Sequence, residues 1–326
     1  MELAATKRPA LGWALLIGSS ILFGLNASTS KVLVHAGGIS PEIMVIYRSA
    51  ASAVLAGLAV LLGNRKAFAV NRREWPALLV FGIVGIGVMQ WSYTNAVSRL
   101  PVGISLLFEY TAAIWVPLIA WLVLKQRASN RLWIGAGVAV AGLLVVSQIW
   151  ASKLDPVGVF FGFLTAAAVS FYFLIAEHTQ SSRDTMSTLF YTMTISTTFW
   201  LIVSHPSPSA IPNLTNSITL GGNLGNLTVP TWALLLWLGV FGSFIPMLMG
   251  YWSLRHISAT AAGIGSTSEV IAAFVFGWLW LQEGLSGIQL IGAVFVLIGI
   301  AIAQTSRKVA IEPSMIAGTG EVNGEH

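Results

Sequence analysis

Three ionisable side chains lie deep inside long apolar runs: Arg48, Glu109 and Glu269. A charge in hydrocarbon costs roughly 2.5–3.5 kcal/mol on insertion scales, so such a residue marks a place where something is paired, hydrated or bound. At about 1.5 Å per residue, Arg48 lies about 10 Å past Pro41 and Glu109 about 12 Å past Pro101, measured from the same face. Glu269 lies about 16 Å past Ser258, from the opposite face and near the midplane. Arg48 and Glu109 are depth-matched and opposite in sign. Two readings stand for them: a structural ion pair between the second and fourth apolar runs, or subsites for the carboxylate and ammonium of a zwitterion. A guanidinium suits a carboxylate because its fork donates two parallel hydrogen bonds. Glu269 has no depth-matched cation and is expected to face a wet cavity. There it could hold an ammonium group or exchange a proton; a protonated glutamate bonded inside the bundle is the alternative.

Amide, hydroxyl and aromatic groups lie at similar depths. Asn26 is in the first run, Tyr47 in the second, Gln90 and Thr94 one turn apart in the third, and Tyr110 in the fourth. Tyr172, Tyr191 and Tyr251 complete the set. A tyrosine offers a flat apolar face and a polar tip, which suits an amphipathic ligand; ordinary packing or an interfacial belt is the bland account of each. His178 and Lys31 sit at the ends of runs and are assigned to the interface. The sequence holds no HExxH, GxSxG or P-loop pattern, so no catalytic residue, cofactor or metal ligand is assigned. The five histidines are scattered among run ends, loops and the last position, which does not suit a metal centre.

The elements that must position these residues are membrane helices. The 326-residue chain is 56% hydrophobic and 9% charged, against about 25% charged in soluble domains. A spanning helix needs about 20 mainly apolar residues. Such runs fall near 11–34, 42–63, 75–97, 101–124, 132–150, 156–177, 187–205, 230–253, 259–281 and 287–305. The first exceeds the ~7–15-residue core of a cleaved signal peptide and is read as a retained span. Thirteen of the 17 basic residues fall on one side, three (Lys31, Arg99, Lys153) on the other, and Arg48 alone inside. By the positive-inside bias both termini are cytoplasmic, and the net charge of +5 is an orientation signal rather than a nucleic-acid footprint. The chain contains no cysteine, which excludes disulfides and thiolate metal sites. The loop 206–229, rich in Asn, Gly, Ser, Thr and Pro, lies outside and is expected to be a floppy surface loop rather than a lid. Asn213 and Asn226 fit the glycosylation pattern, which matters only in a eukaryotic host. Residues 1–10 form a cytoplasmic segment and 306–326 a polar, disordered cytoplasmic tail.

The runs repeat. Shifted by 157 residues, Trp75 falls on Trp232, Gly82 and Gly85 on Gly239 and Gly242, Trp121 on Trp278, and Gly135 and Gly142 on Gly292 and Gly299. A shift of 146 places Leu11-Gly12-Trp13 on Val157-Gly158-Val159 and Asn26 on Tyr172. Two repeats, 11–150 and 156–305, follow. Each has five spans, and an odd number makes the second copy enter the membrane inverted. Inverted repeats around a midplane site are the architecture of alternating access.

The matched stretches carry a resemblance. ILFGLNASTSKVL, VSRLPVGISLLFEYTAAIWVPLIAWLVLKQR and LRHISATAAGIGSTSEVIAAFVFGWLWLQEGLSGIQLIGAVFVLIG resemble the drug/metabolite transporter superfamily, in its ten-helix EamA-type branch. The resemblance covers residues 11–305 and is most specific at Trp280-Leu281-Gln282-Glu283, followed by Gly292 and Gly299. Gln126 stands where the first repeat would carry the acidic counterpart of Glu283. Glu283 is read as structural, capping the tenth helix. The resemblance implies an all-α membrane protein of ten transmembrane helices, with helices one to four and six to nine around a central cavity and five and ten peripheral. Within the superfamily the chain is most similar to the bacterial aromatic amino-acid exporters.

Together these imply a secondary transporter in a bacterial cytoplasmic membrane, exporting aromatic and other apolar or neutral amino acids. Its surroundings are lipid, with no nucleic acid and no obligate protein partner, as a monomer. A nucleotide-sugar carrier would place several basic residues near the midplane, where only Arg48 is available. A multidrug exporter is the nearer rival, since aromatic cavities and a membrane glutamate also suit lipophilic cations. A membrane enzyme using Glu109 and Glu269 as acid and base is the remaining one, and the different depths of the two carboxylates speak against it.

Overall fold

The computed structural model describes residues 8–124, 129–148, 154–180, 184–207, 212–257 and 259–305. Ten membrane segments run through them, and their ends follow local chemistry. Segment one is Pro9–His35 and segment two is Pro41–Leu62, begun by Ser40, whose hydroxyl accepts from Ile43 N. Segment three is Trp75–Arg99 and segment eight Thr231–Ser253. Segments five (Asn130–Ser147), seven (Thr185–Ser204) and ten (Gly287–Gln304) are capped by Ser129, Asp184 and Ser286, the last in a reciprocal box with Gln289. A side-chain oxygen at this position satisfies one of the orphan amides of a helix start. Segment six is Pro156–Gln180.

Segments four and nine are each interrupted by a short turn whose residues stay right-handed, Thr111 at φ −61°, ψ −16° and Thr267 at φ −62°, ψ −17°. Four consists of Val102–Tyr110 and Ala112–Leu124, and nine of Ala259–Gly265 and Ser268–Leu279. At the first break the Thr111 hydroxyl donates to Phe108 O (2.6 Å); at the second the Ser268 hydroxyl donates to Gly265 O (2.7 Å). Both residues of each pair are related by the 157-residue shift. Segments three and eight each contain a π-helical stretch, Phe81–Val88 and Val240–Phe244, and the second maps onto 83–87 within the first.

Close packing repeats the same relation. Gly82 packs on Ile195 and Gly239 on Ala51; Gly85 on Tyr172 and Gly242 on Asn26; Gly158 on Leu100 and Gly12 on Ile257. Segments five and ten meet each other along a seam in which Gly135 faces Gly299 and Gly142 faces Gly292, a pair of contacts that the shift exchanges. Lipid gives helices little hydrophobic reason to associate, so small residues that admit backbone-to-backbone contact carry the packing. The outer surface presents Leu62, Phe160, Trp278, Ile291 and other large apolar side chains. The chain is therefore two inverted five-segment repeats, as expected.

Residues 208–211 of the 206–229 stretch lie outside the described residues, and the rest differs from expectation. Ser217–Thr219 and Thr228–Pro230 pair antiparallel as β1 and β2. The hairpin docks on the end of segment nine: Asn223 N donates to Trp280 O (2.8 Å), Asn223 Nδ2 to Leu279 O (2.8 Å), and Trp280 Nε1 to Leu220 O (3.0 Å). Its polar residues cap helix carbonyls there, which is why a loop-like composition is ordered. Residues 1–7 and 306–326 lie outside the described residues, as does Gln126.

Candidate functional site

The two broken segments meet. Tyr110, at the end of the first half of segment four, sends its hydroxyl to 2.7 Å from Ser266 O and 2.8 Å from Glu269 Oε2. Ser266 lies between the halves of segment nine, and Glu269 opens its second half. A break frees backbone carbonyls in a place without bulk water, and such backbone is tolerated at membrane depth where it is buried in protein or lines a cavity.

Arg48 reaches the same region from segment two and is 6% exposed. Its Nε donates to Ser243 Oγ (3.0 Å) and its Nη2 to Gly242 O (3.4 Å), both in the π-helical stretch of segment eight. Its Nη1 is buried without a hydrogen-bond partner. Arg48, Tyr93 and Glu109 lie within Coulombic reach of one another, and Glu109 within reach of Glu269. Two corrections follow. Arg48 and Glu109 form no ion pair: among the described residues the salt bridges are Lys31–Glu283 and Arg99–Asp155. Glu109 and Glu269 lie within Coulombic reach of each other and are not separated in depth. In a core about 30 Å thick, a group 16 Å from one face is about 14 Å from the other, close to the 12 Å estimated for Glu109. Depth therefore does not separate the two carboxylates.

The other expected residues divide. Asn26, 2% exposed, leaves its Oδ1 without a partner where it abuts Gly242, next to the Arg48 contact. Tyr172 and Tyr251 face each other with hydroxyls 3.4 Å apart, in a small pocket shared with Phe81, Thr188 and Met247. Tyr47 is half-buried against the cluster around Leu33 and Met44. Gln90 is spent between segments: its Oε1 accepts from Ser49 Oγ (3.2 Å) and its amide faces Met193 Sδ. Thr94 is fully buried, and its hydroxyl donates to Gln90 O (2.8 Å). Tyr191 does not join the site. Its hydroxyl donates to Phe68 O (2.7 Å) and its ring meets Trp75 edge-on, at the connection between segments two and three. Glu283 caps segment four rather than ten: its Oε2 accepts from Val102 N (2.7 Å), while Ser286 and Gln289 cap segment ten. Lys31, assigned to the interface, is its ion-pair partner at 2.6 Å. His178 lies in segment six, beyond the residues whose side chains are described.

Tyr93, Ser243 and Ser266 were missed. Tyr93 is the one tyrosine of six not singled out, although it adjoins Thr94. Nothing in the sequence marks Ser243 or the Ser266 carbonyl, whose roles arise from a π-helical stretch and a helix break.

Comparison with known proteins is decisive about family. The EamA-like transporter family matches residues 10–148 and again 156–305. The chain belongs to that family. Protein PecM of Dickeya dadantii is 24% identical over 241 residues, covering 72% of this chain and 77% of PecM. An uncharacterized transporter of Archaeoglobus fulgidus is 22% identical over 295 residues, covering 90% and 99%. The uncharacterized transporter YdfC of Bacillus subtilis is 22% identical, covering 88% and 89%. A crystal structure with 16% identity superposes with a TM-score of 0.59 over 91% of this chain and 99% of the other, a likeness of fold alone. As an EamA-like protein of the drug/metabolite transporter superfamily, the chain is a multi-pass membrane transporter.

Proposed function

We propose that this EamA-like protein exports neutral amino acids, aromatic and other apolar ones included, by alternating access across a bacterial cytoplasmic membrane with both termini inside. The observation that carries the reading is the buried, unpaired Nη1 of Arg48 within Coulombic reach of Glu109. An orphaned guanidinium donor in a dry site calls for an anionic group, and a nearby carboxylate calls for a cationic one. An α-amino acid supplies both, one carbon apart. Tyr93 and Tyr110 add aromatic surface with polar tips, which suits an apolar side chain. Asn26 Oδ1 supplies a further acceptor.

Counterflow of labelled phenylalanine, tryptophan and leucine into proteoliposomes preloaded with the same amino acid tests this. Saturable accumulation that Arg48→Gln reduces at least tenfold is expected; no accumulation of any amino acid overturns the substrate assignment. Two carboxylates, Glu109 and Glu269, within Coulombic reach of each other favour a second reading, export of lipophilic cations, because they outnumber the one guanidinium. Under it, a quaternary aromatic cation would be transported and phenylalanine would not compete. Orientation is tested separately: a cysteine placed at Asn213 should react with an impermeant maleimide in intact cells, and reaction only after lysis overturns the topology.

A further inference from the structure

We propose that Lys31 and Glu283 form the gate that holds the hairpin-bearing face shut. The proposal rests on alternating access and on no particular substrate.

Lys31, near the end of segment one, donates to Leu100 O (2.7 Å) and Glu283 Oε1 (2.6 Å). Glu283 Oε2 accepts from Val102 N (2.7 Å). One ammonium and one carboxylate thus tie four chain ends: those of segments one, three and nine, and the start of segment four. Both side chains are largely withdrawn from solvent, at 19% and 15% exposure, so the pair is screened less than a surface pair. The backbone aims it. Gln282 adopts a left-handed φ of 60°, and Glu283 N donates to Gly277 O (3.0 Å). This ends segment nine and turns the chain back towards segment four. The hairpin holds the turn from the other side, through Asn223 on Trp280 O and through Gln282 Nε2 on Asn223 Oδ1 (2.6 Å).

The pseudo-twofold relation names the residue types at the mirrored positions. The shifts of 146 and 157, which packing reproduces at Gly12 and Gly158, carry Lys31 to Glu177 and Leu100 to Ile257. They carry Glu283 to Gln126 and Val102 to Ala259. Where one face has a cation to donate to a carbonyl and a carboxylate to receive it, the mirrored positions hold a carboxylate and an amide. Gln126 lies outside the described residues, and Glu177 lies where side chains are not described. An acid cannot repeat the donation that Lys31 makes. The tie made by Lys31 and Glu283 is therefore not repeated by the same residue types at the mirrored positions.

The chain has no cysteine, so a single Ser266→Cys, at the turn in segment nine beside Tyr110, reports access to the site. Labelling by an impermeant maleimide is followed from each face, in intact cells and in inverted vesicles. Lys31→Met should raise the rate from the hairpin face at least tenfold and lower the rate from the other. Glu283→Gln, which keeps an acceptor for Val102 N, should do the same, and the double variant should add nothing further. Lys31→Arg should match the parent. Unchanged rates from the hairpin face in both Lys31→Met and Glu283→Gln, in protein that remains monodisperse, overturn the gate. Additive effects in the double variant overturn the pairing. Labelling needs no substrate, so failure of amino-acid counterflow with an intact labelling pattern would sink the substrate assignment and leave the gate standing.

Discussion

The buried guanidinium of Arg48 makes two of its possible contacts within the protein and leaves Nη1 unmet. Hydrogen bonds to charged groups contribute about 1.5–3 kcal/mol, which is roughly a tenfold to hundredfold change in affinity. Arg48→Gln should therefore weaken amino-acid binding by that factor while its amide still reaches the segment-eight backbone; isothermal titration or counterflow half-saturation measures it. Tyr110→Phe removes the hydroxyl that joins the breaks at Ser266 and Glu269. Hydrogen bonds between membrane helices average about 0.6 kcal/mol and reach about 1–2. The expected loss of stability is thus about 1 kcal/mol in a thermal or denaturant assay, with a larger loss of transport because the two breaks are no longer held together. A variant that transports normally would remove Tyr110 from the site. Arg48, Glu109, Glu269 and Tyr110 were legible because a polar group inside an apolar run is conspicuous. Their partners were not: an intramembrane serine or a backbone carbonyl carries no compositional mark.

At the scale of elements, the seam between segments five and ten depends on absent side chains. A methyl group on Gly142 would lie 2.6 Å from Val296 N and 2.7 Å from Gly292 O, and one on Gly292 2.6 Å from Val146 N. Gly142→Leu must push the helices apart, and overpacking of this kind costs typically 1–3 kcal/mol. The expectation is a lower melting temperature in detergent with an unchanged apparent affinity for substrate, since the seam lies away from the site; a melting temperature equal to the parent's would refute the packing account. The ten spans could be read from hydropathy because each run is long enough to cross. The breaks could not, because Thr111, Ser266 and Thr267 interrupt the backbone without interrupting the apolar pattern. Glu283 was placed at a helix end correctly, but its partner is 181 residues away in sequence, beyond the reach of local capping rules. The hairpin was read as loose because Asn and Gly signal turns, whereas Asn223 uses its side chain to finish a distant helix.

At the scale of the whole molecule, the two repeats were visible in the sequence through Trp-on-Trp and Gly-on-Gly matches, and the packing of Gly82 and Gly239, Gly85 and Gly242, repeats them in space. The matching π-helical stretches in segments three and eight have a consequence for phase. A π turn accommodates an extra residue, and one residue of an α-helix corresponds to about 100° of rotation. Gln90, Tyr93 and Thr94 therefore face inward at an angle that a helical wheel drawn from Trp75 misplaces by that amount. Deleting one residue within Phe81–Val88 should straighten the segment and turn this face away from Ser49 and Arg48, abolishing transport with little change in helical content by circular dichroism. Because the second half carries the same slip in Val240–Phe244, the two halves keep time with each other only while both retain it: shortening either one alone leaves a molecule whose repeats are a quarter-turn out of step.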